Sequence, residues 1–454
     1  MTTVKVHRGT DCIGGTITEI HNEKSHIFID FGSELATDPE ESTDRDMVEM
    51  MSRNACDAVL FTHYHGDHIG LMDKLPMRDI RGRKIRLYMG RIAASVLKNI
   101  HSYLLGFDDI PETEKNDHRN YLQILKDPDR CIYIEDGRSF YPDAEKQFRV
   151  TPVLVDHSAY DSYMYIIESV SDGRVIVHTG DFRTHGRLGK GLFERVEKAL
   201  EGKRVDVLIT EGTMMSRTGE KVMTEEELQI RANEYLKMSD NKYAFLICSS
   251  TNMESLASFA NAAFDVIDNG EHRGFYVNSY VKLQTDLFAK TAGNNGKNKE
   301  FGFWKTNRLE RIGWVNPKLG MTQLEYMEKH GFLMLIGTSK GYLDRIKYFR
   351  DRGYDPLLIY AMWDGYVHKD KYPDTYRSDI GDFYNSWPKD RRLDLHTSGH
   401  ATAEDIAEMI LTVKPCNAIL PIHTEKPEAF RNLDIGEYAS LIPEGFAVSG
   451  TYTC

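Results

Sequence analysis

Four candidate metal ligands crowd into six positions of this chain. In FTHYHGDH (61–68), His63, His65, Asp67 and His68 follow directly on the apolar run DAVLFT (57–62). Imidazole nitrogen and carboxylate oxygen are the ligands zinc takes outside thiolate sites. In extended backbone His63 and His65 point to the same side. A turn at Gly66 then lets Asp67 and His68 face a second metal nearby. A polar loop with chance histidines is the plain alternative, and it leaves four ligand types behind an apolar strand unexplained. A metal site just past a strand end is therefore the expectation, and it is the strongest signal in the chain.

The 454 residues exceed what one hydrophobic core usually covers, so two or three folding units are expected. Apolar residues at 41% and charged residues at 28% are the balance of a soluble globular protein, which excludes disorder, collagen-like repeats and coiled coil. No apolar run approaches the roughly 20 residues of a membrane span. The start, MTTVKVHRGTDCIGG, lacks the apolar centre of a signal peptide. Cys12, Cys56, Cys131, Cys248, Cys416 and Cys454 are scattered without CxxC pairing, which implies neither a disulfide framework nor a thiolate zinc site. A cytoplasmic protein is expected, with no membrane partner. The formal charge of −12 argues against a globally basic nucleic-acid coat and leaves room for a local basic channel.

Along the chain, residues 15–31 alternate apolar and polar about a polar centre, the pattern of a β-hairpin. Strands are predicted at 57–62, 84–89, 147–155, 163–169, 174–180 and 205–210, with a helix over 91–105. From about residue 214 longer helices alternate with single apolar strands (242–250, 274–279, 332–337, 356–362), which predicts a parallel, doubly wound sheet. RLDLHT (392–397), a helix over AEDIAEMILTVK and the strand NAILPIH (417–423) return to the earlier style. NNGKNK (294–299) reads as a loop, and 107–120 as an acidic, polar excursion between helices. STNME (250–254) reads as a capping box from Thr251 to Glu254.

The pattern HxHxDH resembles the signature of the metallo-β-lactamase superfamily. Further stretches extend the resemblance: IFIDFG with Asp30, VLVDHSAYDS with His157, VIVHTGDFR with Asp181, and LITEGT with Glu211. HTSGHATAEDIAEMILTVKPCNAILPIHTE resembles the closing segment of β-CASP nucleases such as ribonuclease J, and carries His400 and His423. The resemblance implies an α/β fold: a metallo-β-lactamase αββα sandwich (1–213 and 385–454) with an inserted α/β β-CASP domain (214–384). It implies two zinc ions, with manganese possible. One would take His63, His65 and His157; the other Asp67, His68 and His423; Asp181 would bridge them. Asp30 and Glu211 would be supporting carboxylates, and His178 a strand residue. His400 would supply a proton to the leaving oxygen, while His396, Ser398 and Gly399 contact phosphate or shape the turn against it.

The activity so implied is cleavage of single-stranded RNA through a dinuclear metal-activated hydroxide. The alternative is a metallohydrolase of the same fold acting on DNA, or on a small ester or phosphodiester. A non-catalytic nucleic-acid-binding relative is disfavoured, because every ligand position is filled. RNA or single-stranded DNA is the expected partner, with oligomeric state open. Ribonuclease J has a Gly-Ser-Gln-Gly stretch where this chain has LIYAMWDGYVHKDKY (358–372), so a 5′-end preference does not carry over. Tyr360, Trp363 and Tyr366 are there either base-stacking or core residues. GTSKG (337–341) is not a GxxxxGK[ST] loop. Residues 78–98 hold seven basic side chains (Arg78, Arg81, Arg83, Lys84, Arg86, Arg91 and Lys98) against one acid, Asp79. They form a solvated surface or a patch that tracks phosphates.

Overall fold

The computed structural model describes residues 1–35, 42–217, 219–268, 270–294, 308–314, 321–444 and 451–454. Its strands are β1 (Thr3–Arg8), β2 (Ile17–His21), β3 (His26–Ile29), β4 (Ala58–Leu60), β5 (Arg86–Gly90), β6 (Cys131–Ile134), β7 (Phe148–Val155), β8 (Ser162–Ser169), β9 (Val175–His178), β10 (Val207–Glu211), β11 (Tyr243–Cys248), β12 (Ile267–Asp268), β13 (Glu271–His272), β14 (Gly274–Val277), β15 (Gly313–Trp314), β16 (Phe332–Leu335), β17 (Leu357–Ala361), β18 (Arg392–Asp394), β19 (Ala418–Ile422) and β20 (Thr451–Thr453). The chain divides into two compact units. One comprises Met1–Thr184, Leu188–Lys221 and Gly399–Cys454; the other comprises His185–Arg187 and Val222–Ser398.

The first unit holds two sheets, ordered β20-β1-β2-β3-β4-β5-β6 and β19-β10-β9-β8-β7. β1 alternates half-buried and buried residues, the period of a strand with one covered face. β4 and β10 are buried at every position, as parallel strands covered on both faces are. The expected hairpin is β2–β3. Its turn is held by the Asn22 side-chain carbonyl, which accepts from the backbone N–H of Lys24 and Ser25 at 2.9 and 3.0 Å. Regular pairing in DAVLFT stops at Leu60, because beyond it the Thr62 N–H is taken by the Asp30 carboxylate rather than by a neighbouring strand. The helix Ala403–Val413 buries Ile406, Met409, Ile410 and Val413, one stripe at helical spacing, in a core that includes Val177, Leu208 and Ile419 of the second sheet.

The second unit's sheet runs β15-β14-β16-β11-β17-β18, with every pair parallel. Helices alternate with these strands, as the change of rhythm predicts. Phe245, Phe332, Phe349 and Trp387 dominate its core. Arg392–Asp394, within RLDLHT, pairs with β17.

Two sequence expectations are corrected and one open alternative is decided. Residues 112–120 are not irregular, because Glu112–Lys126 is a helix whose His118, Tyr121, Ile124 and Leu125 are buried. The helix after β11 starts at Met253, and its cap is Asn252, whose side chain accepts from Ser255 N–H; Thr251 and Glu254 form no capping box there. Tyr360 is only 1% exposed and gives its hydroxyl to the Trp363 carbonyl, so it is a core residue and no base can stack on it. NNGKNK lies, but for Asn294, outside the described residues. Among the described residues no helix is long and apolar enough to cross a membrane.

Candidate metal centre

In the first unit, seven histidine and aspartate side chains converge where β3, β4, β7, β9 and β19 end. β3 runs into Asp30, which adopts φ 61°, a left-handed conformation uncommon outside glycine and of the kind functional sites retain. That turn aims a fully buried carboxylate inward. It accepts from Thr62 N–H at 2.7 Å and from the Thr62 hydroxyl at 2.8 Å, and it meets His68 Nδ1 at 2.7 Å. Thr62 Oγ1 in turn stands 3.1 Å from His63 Nδ1. Gly32 is required nearby, since a Cβ there would collide with the Asp67 carbonyl.

The other ligand candidates are tethered in the same way. His157 Nδ1 donates to the Gly399 carbonyl at 2.5 Å, and a side chain at 399 would strike Ser158. His423 Nδ1 stands 3.0 Å from Thr213 Oγ1. His423 is itself left-handed, φ 52°, with its N–H donated to the Gly9 carbonyl at 2.6 Å. His63, His68, His157 and His423 thus each engage Nδ1 on the protein and leave Nε2 for the centre. A partner on one ring nitrogen is what fixes tautomer and orientation in metal-binding histidines.

At the middle lies Asp181 Oδ2. It is 3.1 Å from His68 Nε2, 3.5 Å from His400 Nδ1, 3.7 Å from His423 Nε2 and 3.9 Å from both His63 Nε2 and His157 Nε2. Asp67 Oδ2 is 3.2 Å from His423 Nε2, and His65 Nδ1 is 3.2 Å from His157 Nε2. Asp181 Oδ2, His63 Nε2 and His68 Nε2 are buried yet have no hydrogen-bond partner. Buried polar atoms are otherwise almost always paired. Donor atoms lie within 4.8 Å of one another in four sets: His63, His65 and His157; His63, Asp67 and His68; His68, Asp181 and His423; His157, Asp181 and His400. This donor chemistry, all imidazole and carboxylate, fits zinc. One set offers His63, His65 and His157, and an adjoining one His68, Asp181 and His423 beside Asp67.

Charge divides this centre into two parts. Burial, reinforced by neighbouring imidazoles, holds His63 and His157 well below the ordinary histidine range, and burial brings His65 down to about 4. Burial acts the same way on His68, but Asp181, Asp67 and Asp30 outweigh it and raise its pKa well above the ordinary value. His423 is raised too, burial being overcome by Asp181 and Asp67. Asp67 and Asp181 are held below the carboxylate range by His68 and His423 against the opposing effect of burial. His178 is buried, brought to about 3 by burial, and receives Gly180 N–H on Nδ1; it belongs to none of the four donor sets.

His400 stands at the edge of the cluster, its side chain 23% exposed, with Nδ1 3.1 Å from Glu211 Oε2. Glu211 is fully buried. Its Oε1 also accepts from Phe182 N–H at 2.9 Å and Ala401 N–H at 3.4 Å, so one carboxylate ties the Asp181 loop to the His400 loop. A capping box between Thr402 and Asp405 starts the next helix and fixes the chain just after His400. His396 and Ser398 belong to the second unit, where the Ser398 carbonyl accepts from His185 Nε2 at 2.7 Å.

Sequence reasoning passed over three supports. Thr62 and Thr213 gave no signal, because a threonine beside a histidine is unremarkable in a sequence. The third is an ion pair between Arg183 Nε and Asp156 Oδ1 at 2.7 Å, both residues essentially unexposed, with Asp156 Oδ2 also accepting Gly189 N–H at 2.6 Å. Asp156 adjoins His157 and Arg183 lies two residues after Asp181, so the pair anchors two candidate ligands at once. Removing one partner of such a buried pair costs about 3–5 kcal/mol. Its trace was visible as the Asp before His157 and the Arg closing TGDFR.

Residues 45–239 match the beta-lactamase superfamily domain, and residues 390–433 match the Zn-dependent metallo-hydrolase RNA specificity domain. A crystal structure described as a protein of unknown function from Enterococcus faecalis V583 is similar in fold. It shares 19% identity over 94% of this chain and 95% of its own, with a TM-score of 0.64. The metallo-beta-lactamase fold protein YhfI from Bacillus subtilis aligns over 50% of this chain and 79% of its own at 15% identity; its TM-score of 0.30 is too low to bear on the fold. No curated protein matches in sequence. With both domain matches falling on this α/β architecture and its histidine–aspartate centre, the chain is a metal-dependent hydrolase of the metallo-β-lactamase superfamily that carries an RNA specificity domain.

Proposed function

We propose that this protein is a zinc-dependent phosphodiester hydrolase that cleaves single-stranded RNA. One observation carries the reading. The segment matching the RNA specificity domain itself supplies His400 and His423, whose ring nitrogens lie 3.5 and 3.7 Å from Asp181 Oδ2. The residues that would choose the substrate are therefore part of the centre that would cut it. His63, His65 and His157 would hold one zinc, and Asp67, His68 and His423 a second, with Asp181 shared; manganese would be the alternative ion. Bound there, the metals supply a nucleophile at neutral pH and neutralise charge on the phosphate.

The protein's own groups do the rest. His400 directs Nδ1 at Glu211, which leaves Nε2, the opposite ring atom, to deliver a proton to the departing 3′-oxygen. Glu211 fixes that orientation, and Asp30 fixes His68. Gly399 holds His157 through its carbonyl and allows close approach. His396 and Ser398 serve as phosphate contacts, and the segment 214–384 as the β-CASP insertion that receives the strand. Trp363 and Tyr366, half-buried with rings 5.5 Å apart, are the aromatic surface there.

The test is to incubate zinc-loaded protein with 5′- and 3′-labelled RNA and DNA, single- and double-stranded, and to read product lengths. Shortening of single-stranded RNA alone supports the reading. Cleavage of DNA only, or of a small phosphodiester with RNA left intact, overturns it.

A further inference from the structure

A second histidine–carboxylate cluster lies away from the centre, on the sheet of the first unit. Pairing of β1, β2 and β3 groups His7, Glu19, His21 and His26 there. Glu19 and His21 sit two apart on β2, so they share a face. The Asn22 turn sets His26 directly opposite His21. The two rings stack, 4.9 Å apart and 7° from parallel. Both aim Nδ1 at the same atom: Glu19 Oε1 is 2.7 Å from His26 Nδ1 and 3.5 Å from His21 Nδ1. The other carboxylate oxygen, Oε2, is held at 2.8 Å by His7 Nε2, and His7 is packed on Phe28.

Several features set this apart from an ordinary hydrogen-bonded histidine network. His21 Nδ1 is a buried atom with no hydrogen-bond partner, although the ring is 29% exposed. A single carboxylate faces three imidazoles, so it can neutralise only one of them if protonated. One oxygen and two nitrogens, all within 4.8 Å of one another, thus point into one small space. The remaining carboxylate oxygen is fixed by a further imidazole, the arrangement that orients carboxylate ligands in metal sites.

We propose that Glu19, His21 and His26 bind a divalent transition-metal ion of the zinc class, with His7 positioning the carboxylate. Two imidazoles and one carboxylate favour zinc, cobalt, nickel or copper over magnesium and calcium, which require oxygen ligands. The His26 and His21 side chains are 25% and 29% exposed, so the ion is reachable from solvent and keeps a position for water. Such an ion clasps β2 to β3, four residues before Asp30, and through His7 also ties down β1. This site shares no residue with the centre around Asp181, so it stands independently of the ribonuclease reading.

The test is equilibrium dialysis of the full chain against buffered zinc, comparing wild type with His21→Ala/His26→Ala and with His7→Ala. Wild type should hold one zinc more than the double variant, and His7→Ala should weaken that zinc by about 10–100-fold. The same one-equivalent difference should persist when His63→Ala/His65→Ala removes ligands of the other centre, so failure of the two readings can be told apart. Equal zinc in wild type and in a folded double variant overturns the proposal. Should the double variant not fold, anomalous scattering at the zinc edge from zinc-soaked crystals of the unmutated protein decides. A peak between Glu19, His21 and His26 supports the site, and its absence there overturns it.

Discussion

The centre around Asp181 and the basic segment 78–98 both drew notice as concentrations of charge, and they differ in what their side chains do at each end. At the centre, His63, His68, His157 and His423 are each tied at Nδ1 and direct Nε2 into a space where Asp181 Oδ2, His63 Nε2 and His68 Nε2 find no hydrogen bond. In the basic segment the side chains are occupied locally. Arg81 pairs with Asp57 and Asp79, Arg83 with Asp57 and Glu145, and Lys84 with Asp127. Arg78 donates to the Gly82 carbonyl, while Arg91 and Lys98 lie over the Tyr133 ring. Asp57, Glu145 and Asp127 lie outside the segment, which is why it looked uniformly basic as a sequence. A density of one residue type is thus a weak guide. Polar atoms aimed at one point and left unpaired are a stronger one.

The sharpest way to break this contrast is Asp181→Ala. It removes the one oxygen common to five imidazoles, so both metal content and hydrolysis should fall to background, measured by elemental analysis and RNA turnover. Retained metals with retained activity would mean that Asp181 is only a buried counter-charge. His400→Ala comes next. It should keep the metals and slow turnover by roughly 10²–10⁴-fold, the usual loss for a positioned acid. The loss should shrink on an activated nitrophenyl phosphodiester, whose leaving group needs no proton; equal loss on both substrates would make His400 a phosphate anchor instead.

Asp30→Asn should weaken metal binding by about 10–100-fold, with a smaller effect on the turnover of fully loaded protein. Lys84→Ala, which removes a pair with Asp127 whose side chains are 35% and 32% exposed, should change stability by no more than about 1 kcal/mol and leave the salt dependence of RNA binding unaltered. A flattened salt response in that variant would restore the basic segment as a phosphate track.

pH tests the centre from another side. In metal-free protein the folded-state pKa of His68 is raised, burial being outweighed by Asp181, Asp67 and Asp30. Its contribution to stability is therefore complete below the ordinary histidine value of 6.5 and is lost as pH rises through the raised value. Metal must displace that proton, so affinity should strengthen with pH and loading should release acid. Melting curves in chelator and in zinc should consequently diverge as pH increases. Parallel curves would indicate that His68 takes no metal.

Much of this arrangement was legible before the structure. FTHYHGDH, VDHS, TGDFR and the closing segment named the side chains that surround Asp181, because ligand chemistry leaves residue types that stand out against apolar strands. The change to helix–strand alternation after residue 214 announced a parallel sheet. What stayed hidden depends on partners distant in sequence. Thr213 beside His423 and the Gly9 carbonyl on its backbone have no local pattern. The helix over 112–126 was missed because its apolar face is built from His118 and Tyr121 as well as Ile124 and Leu125. Tyr360 stayed open between stacking platform and core residue, because an aromatic close to a tryptophan reads the same whether it faces solvent or a core; its burial decides for the core.

The meeting of His423 with Asp67 joins positions 356 residues apart, and the His423 backbone is held in place by Gly9, near the other end of the chain. A ribosome makes these partners at very different moments. Domains fold as they emerge, at about 5–20 residues per second, so β1–β4 and their histidines wait tens of seconds for the segment that completes them. During that interval the early strands present an incomplete ligand set, lacking both His400 and His423. The order of synthesis thus delays the full centre until the RNA specificity segment has been made, and a truncated product would lack it altogether.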